Sequence, residues 1–239
     1  MATKKQPPTP SYRWQRVHPA LIVGHVLTVK SKREAPMACC YRQSDMDGAC
    51  ALHCLAMALV VLGLAKSGAL TEMSRRKYGV PAEVFAEFCD VHFTGVDAPD
   101  FIERIHRLKL PINITARFKE DADLDRFTIT NLAKGELLIV SFKSVLTRRT
   151  NHYALAVGCE GVQTGRDTHI DTLLLLDPSA TEPEFRAWNS RLRMKEPRLN
   201  ATAKHATAKP VTWFYESAEW APEQVRLTAA IRFRLTEWV

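Results

Sequence analysis

The residues best suited to chemistry are a cysteine, a histidine and an aspartate, each placed where one element gives way to another. Cys50 lies in Gln43-Ser-Asp-Met-Asp-Gly-Ala-Cys50-Ala-Leu-His-Cys54-Leu-Ala-Met57, where a turn-forming segment with Asp47 and Gly48 runs into an apolar stretch. A thiol in the first turn of a helix faces unpaired N–H groups and the positive end of the helix dipole, and both favour the reactive thiolate. Asn151-His152-Tyr-Ala-Leu-Ala-Val-Gly158 puts an imidazole at the start of a strand, and Thr172-Leu-Leu-Leu-Leu-Asp177-Pro178 puts a carboxylate at the end of another. If these strands are antiparallel neighbours, His152 and Asp177 meet. An imidazole oriented by a carboxylate beside a thiol is the arrangement nucleophilic catalysis needs. Gln43 can aim its amide at an oxyanion beside the Cys50 N–H. Asp171 is the rival carboxylate, but the apolar run ending in Asp-Pro favours Asp177. His53 points about a turn away from Cys50, and Cys54, one turn deeper, reads as core.

These side chains need a helix and a sheet to hold them. From Cys50 to Leu64 apolar residues run almost unbroken, which predicts a buried helix. Further helices are predicted from Pro81 to about His92 and from Asp97 or Asp100 through Leu108. Glu136–Lys143, His152–Val162, Thr172–Asp177, Val211–Glu216 and Val225–Leu235 read as strands of a mostly antiparallel sheet, with an added strand within Leu21 to Val29. Residues 1–40, with Pro7, Pro8 and Pro10, form a partly irregular N-terminal arm. Residues 41–239 form one domain, with 182–210 as a basic loop excursion of poor periodicity. The predicted class is α+β, a buried N-terminal nucleophile helix packed on a mostly antiparallel sheet.

At these positions the chain resembles the papain-like cysteine peptidases, above all the bacteriocin-processing peptidase domains and related bacterial papain-like toxin domains. In that group a glutamine precedes the nucleophile and a second cysteine follows it at +4, ahead of Leu-Ala-Met; here these are Gln43, Cys50 and Cys54-Leu55-Ala56-Met57. His152-Tyr153 resembles the histidine strand and Leu176-Asp177-Pro178 the acidic position. Ala51 stands where the group has glycine, and Gln43 is seven residues upstream where six is usual. The resemblance implies a papain-like fold and a thiol protease, a hydrolase acting through an acyl-thioester without a cofactor or metal. In it Cys50 is the nucleophile, His152 the base, Asp177 its orienter and Gln43 the oxyanion donor. It also implies a protein substrate, cleavage after a double glycine, and the role of an antibacterial effector with a cognate inhibitor or immunity protein. The same residues serve a Cys-His-Asp deamidase or an acyltransferase on protein glutamine, and a catalytically silent basic binding module is a third reading.

Composition sets the frame for these readings. The 239 residues are 46% hydrophobic and 25% charged, which excludes a disordered, collagen-like or coiled-coil chain. Six cysteines are too few for a disulfide scaffold. Cys39, Cys40, Cys50, His53 and Cys54 lack the second, regularly spaced pair of a zinc site. The net charge of +7 divides as +5 over 1–49, 0 over 50–144, −1 over 145–181, +4 over 182–210 and −1 over 211–239. Charge confined to an arm and a loop argues for a protein partner over nucleic acid, with Arg191, Arg193, Lys195 and Arg198 as a docking strip. The longest apolar run, Ala56 to Ala65, is far short of the roughly 18–20 residues of a membrane span. The N-terminus has no apolar targeting region, so the expected location is the cytoplasm, its own or that of a target cell.

Overall fold

A computed structural model describes residues 10–30, 35–147, 151–195 and 211–236. The chain opens with β1 (Ser11–Val17), then a small sheet of β2 (Leu21–Ile22), β3 (Thr28–Val29) and β4 (Met37–Ala38). Four helices follow: α1 (Cys50–Val61), α2 (Ser67–Thr71), α3 (Val80–Phe88) and α4 (Ala98–Arg107). Strand β5 (Ile112–Phe118) and helix α5 (Leu124–Ala133) lead into β6 (Leu137–Ser144), β7 (His152–Thr164), β8 (Asp167–Leu176), β9 (Ser190–Met194), β10 (Trp213–Ser217) and β11 (Glu223–Leu235).

The last six strands close on themselves. Their hydrogen-bonded order is β7-β6-β11-β10-β9-β8, and β8 pairs back onto β7, giving a closed, antiparallel six-stranded barrel. Strands β1 and β5 add outside the ring, on β7 and β11. Register shifts at Ala156/Gly158 and Glu160/Gly161 in β7, and at Leu227/Ala229 in β11, provide the bends that closure requires.

Period-two alternation divides the apolar residues between two cores. Leu138, Val140, Ala154, Ala156, Leu173 and Trp213 face the barrel interior, where Leu124 and Leu132 of α5 join them. Asp125, in the first turn of α5, accepts hydrogen bonds from Trp213 Nε1 (2.9 Å) and Val211 N (3.0 Å), which ties that helix to the start of β10. Tyr153, Leu155 and Val157 of β7 alternate outward into the second core, with α1. Every residue of α1 except His53 is buried, so its apolar character runs all round the helix. The same core takes in Phe88 of α3 with Phe101 and Ile105 of α4, and Phe101 packs on Tyr153.

The predicted architecture is corrected here. The papain-like α+β arrangement of a helix on an open sheet is replaced by a closed barrel with helices outside it and α5 against its interior core. The strand that completes the ring is β9, which lies inside 182–210, the segment expected to be a loop excursion. Its inward positions are Ser190, Leu192 and Met194, with Arg191 and Arg193 between them, too short and too polar a pattern to read as a strand. Strands β1 and β5 and helix α5 were likewise not predicted. Among the described residues no helix is long and apolar enough to cross a membrane.

β7 lies so close to β1 that a side chain at position 158 has no room. A Cβ there would run into the Arg16 carbonyl oxygen and lie 2.9 Å from Val17 Cα. Gly158→Ala is expected to separate β1 from β7 and to cost about 1–3 kcal/mol. A urea midpoint equal to wild type, with unchanged protection of the His18 amide that donates to Val157 O (2.7 Å), would count against this packing.

Candidate functional site

Asp177 follows the end of β8, and its side chain has no exposed surface. A buried carboxylate must be hydrogen-bonded to persist as an anion. Its Oδ1 accepts from His152 Nε2 (2.8 Å), the Ser179 hydroxyl (2.7 Å) and the Ser179 amide (2.8 Å), and its Oδ2 accepts from the Tyr215 hydroxyl (2.8 Å). The backbone is held as firmly: Asp177 N donates to Asn189 Oδ1 (2.7 Å), and Asn189 Nδ2 returns a bond to Asp177 O (2.8 Å). Four strands thus meet at Asp177, with His152 at the start of β7, Asp177 itself after β8, Asn189 before β9 and Tyr215 in the middle of β10.

His152 is 28% exposed, and its ring packs edge-on against Phe142, its register partner on β6. Burial lowers its pKa, but the Asp177 charge and hydrogen bond, aided by Cys50, outweigh this and raise it to about 10. Burial likewise pushes Asp177 upward, and the His152 charge with the Ser179 bonds holds it below the ordinary carboxylate value. The pair is therefore imidazolium and carboxylate at neutral pH. Nε2 is committed to Asp177, and the Ser179 hydroxyl lies 3.2 Å from the same nitrogen.

Cys50 begins α1 and is 8% exposed. Its Sγ lies 4.0 Å from Gly48 O, and its charge is among the influences that raise the His152 pKa. The preceding turn is fixed on three sides. Gln43 N donates to Pro178 O (2.7 Å), Gly48 N donates to His92 O (2.9 Å), and Asp47 accepts from Ala49 N (3.0 Å) and from Ser44 N and Oγ (both 2.8 Å). A Cβ on Gly48 would lie 2.7 Å from Phe93 O, so the turn seats against 93–95 only with glycine there. Burial pushes the Cys39 and Cys159 thiols up to about 12, and it also raises the half-buried Cys40 and the buried Cys54.

The remaining candidates fall elsewhere. Gln43 Nε2 donates to Asp47 O (2.6 Å), so its amide is spent inside the turn and does not face an oxyanion position. Asp171 is paired with Arg13 (2.9 Å) and held low by it against the effect of burial. His53 Nδ1 lies 2.9 Å from Ala49 O. Arg191 and Arg193 both pair with Glu216 (2.7 and 2.6 Å), which partly neutralises the expected docking strip; Arg198 lies outside the described residues. Among the described residues no group of three or more His, Cys, Asp or Glu is placed to hold a metal ion. Ser179, Asn189 and Tyr215 were missed. The two-residue step from Asp177 to Ser179 is a side-chain turn visible in sequence, whereas Asn189 and Tyr215 reach Asp177 only through closure.

No protein-family model and no curated protein matches the chain. The resemblance to papain-like and double-glycine peptidases is corrected accordingly: the barrel is closed where that architecture is bilobal with an open sheet, and Gln43 supplies no oxyanion donor. A complete cysteine-peptidase centre is not formed. The thiol protease and hydrolase assignment, cleavage after Gly-Gly and the bacterial toxin or effector role are withdrawn with it.

The His152–Asp177 pair links stability to pH with a defined sign. A histidine raised from 6.5 to about 10 stabilises the fold fully below 6.5, and that contribution is lost as pH rises through about 10. Asp177, held low, contributes above its ordinary value of 3.8 and loses that contribution as pH falls through its lowered value. Asp177→Asn is expected to flatten the alkaline limb of a urea-midpoint profile, while Tyr215→Phe, leaving a buried oxygen unpaired, costs about 1–3 kcal/mol. An alkaline limb as steep in Asp177→Asn as in wild type would contradict the pairing.

Proposed function

We propose that Cys50 is a reactive thiol that electrophiles, activated esters among them, modify stoichiometrically, with no catalytic triad assigned to it. The observation that carries this reading is the buried His152–Asp177 ion pair beside a thiol at a helix N-terminus. The commitment of the Gln43 amide to Asp47 supports an activated carbonyl over a peptide amide, because a reactive carbonyl depends less on an added oxyanion donor. Free thiols at all six cysteines, including the exposed Cys89, suit a reducing compartment such as the cytoplasm.

With p-nitrophenyl acetate, wild type is expected to release nitrophenolate in a burst of about one equivalent per chain. Cys50→Ala should abolish the burst, and His152→Ala should slow it by about a hundredfold or more. Iodoacetamide supplies an internal control: His152→Ala should slow alkylation of Cys50 and leave Cys89 unchanged. A burst that survives in Cys50→Ala, or equal slowing at both thiols, would overturn the proposal.

A further inference from the structure

A cavity of about 520 Å³ opens beside the β11 bulge, between the turn from β5 to α5 and the neighbouring ends of β6 and β11. Its volume falls within the roughly 300–1,000 Å³ of small-molecule sites. It shares no residue with the Cys50 site. Lys143 on β6 and Arg226 on β11 are direct register partners across the antiparallel pair, and both line it. Like charges directly opposed on neighbouring strands destabilise a sheet. Neither cation has an ion-pair partner among the described residues.

The acids of the cavity are directed elsewhere. Asp125 accepts from Val211 N and Trp213 Nε1, Asp121 Oδ2 accepts from Phe118 N (2.8 Å), and Glu120 faces Lys119 (3.5 Å). Two adjacent cations therefore remain for a ligand. Arginine offers a fork of donors and lysine a compact charge, a combination suited to a doubly charged phosphoryl group. Val145, just after the end of β6, and Val211 give the same cavity apolar wall for an organic substituent.

From these features we infer that the cavity is a binding site for a phosphate monoester, its phosphoryl group between Lys143 and Arg226 and its organic group against Val145. Calorimetric titration of the full chain with phenyl phosphate at fixed ionic strength tests this. Saturable binding is expected in wild type and in Cys50→Ala, with a loss of roughly tenfold or more in Lys143→Gln/Arg226→Gln. Lys143→Arg should retain binding. Without ligand, the double variant should melt no lower than wild type, because the opposed charges are gone. Failure of wild type to bind phenyl phosphate, equal affinity in the double variant, or benzoate binding as tightly as phenyl phosphate would overturn the assignment.

Discussion

A carboxylate with no exposed surface determines how the strand ends of this protein meet. Leaving Asp177 unpaired in the interior would cost far more than a typical contact contributes, so every group that satisfies it is constrained by it. His152, Ser179 and Tyr215 reach its oxygens, and Asn189 brackets its backbone from both sides. Those residues come from β7, the segment after β8, β10 and the approach to β9. The interaction that orients the imidazole is thus the same one that pins the rim of the barrel and the segment between β8 and β9.

The reactive thiol enters from the other core. α1 is apolar on all sides because it is enclosed, packed on β7 and sharing one core with Phe88, Phe101 and Ile105. The turn before it is held by Pro178, the residue next to Asp177, and by the close seating of Gly48 against 93–95. Thiol and imidazole therefore sit on separate elements whose approach is set by the Asp177 segment, which makes the site a consequence of how the two cores are joined.

Much of this was legible in residue types at element boundaries. Cys50 at the head of an apolar run, His152 opening a strand and Asp177 closing another were readable from local pattern, as were the strands that became β6, β7, β8, β10 and β11. Closure was not readable, because it depends on β9, whose outward arginines and short inward face mask a strand. Without β9 the sheet reads as open, which agrees with the papain-like resemblance carried by the Cys50, His152 and Asp177 motifs, and the closed barrel overturns both. Gln43 was misassigned for a related reason: sequence proximity to Cys50 suggested an oxyanion donor, while the local turn offered its amide a nearer acceptor in Asp47 O. Tyr215 and Asn189 had no local signal, since their partner is dozens of residues or a full loop away.

The central claim is that Asp177 keeps His152 an imidazolium beside Cys50 across neutral pH. Nitrogen NMR of the His152 ring through a pH titration reads this directly. The account predicts imidazolium shifts that persist through neutral pH and titrate near 10, with Nε2 remaining protonated above that point. A ring that titrates near its ordinary value of 6.5, or whose neutral form carries its proton on Nδ1, would contradict it.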